Sequence, residues 1–341
     1  YPASYFTLPF FLSVEIAIVV SLSIIVPCYN GANRLPALLL AVAGQLRRED
    51  EVIVVDDCST DATALVAREA GSKVVSLEKN KGVGNARNVG AANADKEVLV
   101  FFDDDVRPVA DYLDTVRQIF ADGNIDFRQG LCTCAGDNEG IWQRVGSYLW
   151  RHYMETKFVG EGQRCSAFYS LAFCVRKGVL EKAGGFRNHY MSAGGEEFEI
   201  ASRMSRICDM IVEPRLEVDH EWKRLGHRLR TVFVRATKYL DATAEMPPGF
   251  PKVGEGVRLI VYSATLFGVP VAALALVAGY GDTVWAVPVF LGLALITDWP
   301  LVKDLNRLKK LSTLGAMWMY RALEYSAIAA GMTLGVFRRV K

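Results

Sequence analysis

The chain has 341 residues, room for one large catalytic domain with an appendage or for two ordinary domains. Its 39 Lys and Arg against 38 Asp and Glu leave a net charge of +1, which gives no bulk electrostatic case for nucleic acid as a partner. The seven cysteines, Cys28, Cys58, Cys132, Cys134, Cys165, Cys174 and Cys208, form no CxxC pair and have no histidine at zinc spacing. This argues against a disulfide framework and a structural zinc, and for reduced thiols in a cytosolic compartment.

The apolar fraction of 51% is raised by the C-terminal third, and that asymmetry divides the chain. Residues 1–20 read as a leader or interfacial segment. Leu8–Val20 is apolar but interrupted by Glu15, lacks the basic and small-residue marks of a signal peptide, and is too short to span a bilayer. Residues 21–245 read as a soluble α/β domain, 246–256 as a Pro/Gly linker and 257–341 as a membrane domain.

Within the soluble part, Leu22–Val26 predicts a first strand, closed by Pro27, and Pro36–Leu46 a helix. Glu51–Val55 predicts a second strand ending at Asp56-Asp57, followed by a helix over Asp61–Ala70 with Gly71 as its C-cap. Lys73–Leu77 is a third strand, Gly84–Ala94 a third helix and Val98–Phe102 a fourth strand. This alternation implies βαβ units and a Rossmann-like, mostly parallel sheet. Polar residues follow each strand: Asn30, Asp56-Asp57, Asn80 and Asp103–Asp105. In a parallel sheet these ends share one edge, where α/β proteins bind ligands. Carboxylates as close as Asp103, Asp104 and Asp105 repel one another unless a cation such as Mg²⁺ or Mn²⁺, bridging to phosphates, neutralises them. An acidic turn is the alternative.

Four segments carry a resemblance. Ser23–Asn30 (SIIVPCYN) resembles the opening strand of family-2 glycosyltransferases, Val54–Asp61 (VVDDCSTD) their second strand end and Asn80–Asn88 (NKGVGNARN) their third. Asp103-Asp104-Asp105 then falls where that family carries its DxD motif. The resemblance implies a GT-A fold, a nucleotide-sugar donor and a divalent metal, Mg²⁺ or Mn²⁺. It puts Pro27, Tyr29, Asn30 and Asn80 at the donor site. Asp56 or Asp57 would accept hydrogen bonds from a base edge, with an N-cap as the alternative, which Ser59 or Asp61 fits better. Gly82 and Gly84 permit close backbone approach. Arg87, at the expected helix start, would meet the base or diphosphate, or else form a surface salt bridge. By resemblance Asp105 ligates the metal, Asp103 holds ribose or metal-bound water, and Asp104 takes the variable middle position.

Ser170–Phe186 resembles the family's segment before the catalytic base, an Arg-capped strand and a helix ending in Gly-Gly-Phe. Glu196-Glu197 stands where the family usually has Glu-Asp, so Glu197 aligns with the base, one methylene longer. An acidic first helical turn is the alternative. His220, after a β-like stretch over Met210–Val218, falls where the family often has a histidine near the diphosphate and metal. Arg224, Arg228, Arg230, Arg235 and Lys238 follow on a helical stretch, to touch diphosphate or anionic headgroups or to be a solvated face. Leu131–Tyr153 reads as loop. No Gln-x-x-Arg-Trp motif follows Glu197, which implies transfer of one sugar per encounter.

Val257–Tyr280 is long enough to span a bilayer, and Thr283–Val302 predicts a return span. Lys303, Arg307, Lys309 and Lys310 then put the catalytic domain on the cytoplasmic face. Leu314–Phe337 is a third helix, spanning or interfacial, in which Arg321 and Glu324 are spaced to pair. The expected protein is a membrane-anchored, metal-dependent, inverting and non-processive glycosyltransferase. Its partners are a nucleotide-sugar donor, membrane lipids, and a lipid-linked or membrane-proximal glycan whose hydroxyl accepts the sugar. Alternatives are transfer onto a polyprenyl phosphate, and a non-catalytic nucleotide-sugar-binding membrane subunit.

Overall fold

The computed structural model describes residues 20–133, 140–158, 168–187, 196–220, 222–244 and, near the C-terminus, 316–331 apart from 318 and 329. The expected leader, the linker and the spans at 257–280 and 283–302 lie outside the described residues. Among the described residues no helix is long and apolar enough to cross a membrane.

The first half alternates as its sequence predicts: β1 (Leu22–Cys28), α1 (Leu35–Ala43), β2 (Glu51–Asp56), α2 (Thr63–Glu69), β3 (Lys73–Ser76), α3 (Val83–Ala92) and β4 (Val98–Phe102). β1 pairs in parallel with β2 on one side and β4 on the other, and β2 pairs in parallel with β3. The chain therefore reverses its direction across the sheet between β1 and β4, and the carboxyl ends of all four strands share one edge. Every residue of β1 and of β4 is buried. Such unbroken apolar runs suit strands covered on both faces.

Alternate side chains divide between two cores. Ile24, Val26, Val100 and Phe102 pack with α1 and with α4 (Tyr112–Phe120). Ile25, Leu99 and Phe101 pack on the opposite face with α3, α6 (Lys177–Lys182) and α7 (Glu196–Met204).

The second half makes the sheet mixed. β5 (Val106–Pro108), β6 (Phe127–Cys132), β7 (Ala172–Arg176) and β8 (Ile211–His220) complete the order β3-β2-β1-β4-β7-β6-β8-β5. β7 runs antiparallel to both β4 and β6, while β6 and β8 are parallel. The expectation of a loop over Leu131–Tyr153 is corrected: β6 extends to Cys132, and α5 occupies Ile141–Phe158. α8 (Leu225–Ala244) follows β8.

Residues 316–331 are helical where described and pack back on the catalytic fold. Met317 and Tyr320 join the same core as Trp222, Val145 and Leu149. The expected Arg321–Glu324 pairing gives way to another, because Glu324 bonds Arg228 of α8 at 2.7 Å. Gly146 of α5 lies against Trp222 and Tyr320. A Cβ there would come within 2.0 Å of Trp222 Nε1 and 2.7 Å of the Tyr320 hydroxyl.

Candidate active site

The three aspartates after β4 turn to three different partners. Asp103 accepts from Arg87 Nη2 at 2.7 Å. Asp104 accepts from Arg34 Nη2 at 2.7 Å and from the Cys28 thiol at 3.0 Å. Burial, and then the Asp104 charge, push the Cys28 thiol far up, so it remains a protonated donor. Asp105 Oδ2 lies 3.1 Å from Lys223 Nζ and 3.4 Å from His220 Nε2.

The meeting of Asp105 and His220 follows from topology. β5 begins at the residue after Asp105 and pairs antiparallel with the end of β8, with Val106 opposite His220. Burial raises the Asp105 pKa, but the hydrogen bond and charge of His220, with the charge of Lys223, outweigh it and hold the carboxyl well below its usual range. Burial lowers the His220 pKa, but bonding to Asp105 outweighs it and leaves the imidazole raised. Asp103 is raised by burial, opposed by Arg87 and reinforced by the neighbouring Asp105 and Asp104 charges.

Arg87 is no surface residue. It sits in the second turn of α3, 1% exposed, donates also to Ser170 O at 3.3 Å, and lies 5.4 Å from the Phe186 ring centroid. Its Nε and Nη1 are buried without a partner among the described residues. Asn88 fixes that ring, donating to Phe186 O at 2.7 Å and accepting from Phe186 N at 2.8 Å.

Two cavities adjoin this edge. One of about 250 Å³ is lined by Pro27, Cys28, Tyr29, Arg34, Asp57, Val83, Ala86, Arg87, Asp103, Asp104, Asp105, Ser170, Glu196, Glu197 and Arg235. It contains most of the expected donor residues. Asn30, Asp56, Asn80 and Gly82 do not line it, and for Asn30 and Asp56 the bonding explains why. Asn30 adopts φ 49° and accepts from Thr60 N at 2.8 Å, tying the loop after β1 to the loop after β2. Asp56 accepts from Ser59 N at 3.0 Å, closing its own turn. Gly82 takes φ 86° at the N-terminus of α3, where a side chain would be strained. Asp57 does line the cavity, yet its two oxygens accept from Lys81 N and Gly82 N, both at 2.8 Å. That carboxylate shapes the loop before α3. Asn80 is half-buried in the same loop.

The second cavity, about 240 Å³, is partly aromatic: Trp150, Tyr169 and Trp222 line it with His220, Lys223, His227, Arg228, Thr231 and Arg235. Trp150 and Tyr169 meet edge to face at 4.4 Å, and Trp222 lies 6.1 Å beyond Trp150. Trp222 Nε1 donates to the Tyr320 hydroxyl at 3.0 Å, and the Arg228 guanidinium stacks 4.9 Å from the Trp222 ring. Trp150, Tyr169, Lys223 and His227 are absent from the sequence expectations, since nothing local in their segments marks them. A chain fold must first bring α5, β7 and α8 together.

Glu197 lines both cavities. It is 6% exposed, and its Oε2 is buried without a partner among the described residues. Glu199 differs. Its carboxylate binds Arg203 through Nε at 2.7 Å and Nη2 at 2.5 Å, and Arg187 at 3.1 Å. Among the described residues no group of three or more His, Cys, Asp or Glu side chains converges as a metal site. Of the expected set, Asp105 and His220 come together, while Asp103 Oδ1 accepts from Arg87.

Residues 23–184 match the model of Glycosyl transferase family 2. This stretch is similar to family-2 glycosyltransferase domains. An uncharacterized glycosyltransferase of Haemophilus influenzae is 37% identical over 124 residues, 35% of this chain and 42% of its own length. Glycosyltransferase AglE of Haloferax volcanii is 28% identical over 180 residues, 50% of this chain and 58% of its own. The chain thus spans about half the length of these curated relatives. Among solved structures, mannosyltransferase PcManGT from Pyrobaculum calidifontis, in complex with GDP-Man and Mn²⁺, aligns with a TM-score of 0.56. The alignment covers 91% of this chain and 86% of that one at 18% identity, a likeness of fold. The described chain accordingly has a GT-A-like mixed α/β fold.

Proposed function

We propose that the protein is an inverting, metal-dependent glycosyltransferase that moves one sugar from a nucleotide-sugar donor to a hydroxyl of a membrane-proximal or lipid-linked glycan. The observation that carries this reading is Glu197, a buried carboxylate facing both cavities beside Asp103 and Asp105. The first cavity takes the donor and the second the acceptor, whose ring the Trp150–Tyr169–Trp222 wall suits. Glu197 takes the proton of the attacking hydroxyl, as a positioned carboxylate does. A single displacement inverts the anomeric centre.

Asp105 and His220 fit a divalent ion such as Mg²⁺ or Mn²⁺. Asp105, just before β5, and His220, at the end of β8, bring an oxygen and a nitrogen donor together and would hold such an ion. Bound there, the ion would neutralise charge on the leaving diphosphate. The apolar stretches 257–280 and 283–302 support a membrane-anchored protein whose catalytic domain faces the cytoplasm.

Thermal unfolding of the detergent-solubilised chain with UDP-, GDP-, CDP- and dTDP-sugars tests the reading, each with Mn²⁺, Mg²⁺ or EDTA. One nucleotide should raise the melting temperature, and EDTA should abolish the shift, because a ligand bound only to the folded state stabilises it. Indifference to every donor in the presence of metal would overturn the proposal.

A further inference from the structure

Five residues line both cavities: Asp103, Asp105, Ser170, Glu197 and Arg235. They mark the junction where a donor in one cavity meets an acceptor in the other. Three of the five are carboxylates, and a diphosphate entering there adds further negative charge.

The cations around the junction are mostly committed. Arg87 holds Asp103, Arg34 holds Asp104, Lys223 and His220 hold Asp105, and Arg228 holds Glu324. His227 and Arg235 have no carboxylate partner among the described residues, and of these two Arg235 alone reaches the first cavity. The helix explains its position. His227, Thr231 and Arg235 are spaced by four on α8 and so share the face turned to the second cavity, with Arg235 at the end nearest the junction.

We propose that Arg235 is a catalytic residue that binds the donor's diphosphate and the charge that grows on it as the nucleoside diphosphate leaves. This rests on the glycosyltransferase reading above. In the step it assists, the acceptor oxygen bonds to the anomeric carbon and its proton passes to Glu197. The electron pair of the breaking carbon–oxygen bond moves to the β-phosphate oxygen, which the guanidinium faces. Arginine suits this task because its donors are fixed in a plane that matches phosphate oxygens, and such charge-assisted bonds are stronger than neutral ones.

The test is calorimetric titration of the full detergent-solubilised chain, with Mn²⁺, using whichever of UDP, GDP, CDP or dTDP the wild type binds, and the matching monophosphate. Arg235→Gln should weaken diphosphate binding on the order of tenfold or more and collapse the preference for diphosphate over monophosphate. Arg235→Lys should recover part of it. Arg230→Gln, on an exposed turn of the same helix, should match the wild type. Wild-type diphosphate affinity in Arg235→Gln overturns the proposal, as does a loss shared equally with the monophosphate or with Arg230→Gln. A wild type that binds no nucleotide overturns the glycosyltransferase reading itself, and this one with it.

Discussion

Glu197 and Glu199 stand two residues apart on α7 and are both buried, yet their surroundings differ completely. Glu199 is clamped by Arg203, which also donates to Ala183 O and to Gly185 O, so the pair fastens α7 to the glycine turn before Phe186. Removing that charge leaves Arg203 unpaired, and Glu199→Gln should cost about 2–3 kcal/mol in chemical denaturation, less than a fully buried pair because Arg203 keeps some solvent contact. Glu197 has an oxygen with no partner among the described residues, so Glu197→Gln should leave the melting temperature unchanged or raised. Transfer should fall on the order of a hundredfold or more if Glu197 is the base. A variant that loses stability in step with activity would mark Glu197 as structural. The position of this carboxylate was legible in Gly-Gly-Glu-Glu, since the motif fixes register. Its isolation was not, because that depends on which side chains from α3 and the segment before β7 surround it.

At the scale of elements, the loop after β3 is shaped by a residue twenty-five positions earlier. Asp57 occupies the backbone N–H groups of Lys81 and Gly82 and so presents the start of α3 to the first cavity. Asp57→Ala should cost about 3–6 kcal/mol, the worth of two bonds to a charged acceptor. It should also weaken nucleotide binding, read by thermal unfolding with and without donor. Nucleotide binding at full strength would show that the loop holds its shape without Asp57. The strands and helices up to Phe102 were legible because apolar runs and turn residues alternate cleanly there. β5 was not, since three residues carry no period and only their pairing with β8 defines them. α5 was hidden for a different reason: Gly146 weakens its helical pattern locally, and the residue is glycine because Trp222 and Tyr320 press against it.

Across the whole molecule, the C-terminal helical stretch is joined to the catalytic fold by specific polar bonds. Glu324 is the counter-charge of Arg228, whose guanidinium lies against the Trp222 ring. Glu324→Gln should lower stability by about 2 kcal/mol by leaving Arg228 without a partner. The donor-induced thermal shift should persist, since the first cavity lies apart from this contact. A loss of the donor shift in that variant would show the two cavities to be coupled. None of this was legible from spacing, where Arg321 was the apparent partner of Glu324, because sequence proximity says nothing of a helix ninety residues upstream. The arrangement has a practical consequence for anyone who shortens the protein to ease its handling. A chain ended after α8 would strip Trp222 of the hydroxyl it bonds and Arg228 of its carboxylate. On the proposed reading, such a fragment would keep its grip on nucleotides while loosening Trp222 in the wall of the second cavity, so donor hydrolysis would outlast sugar transfer.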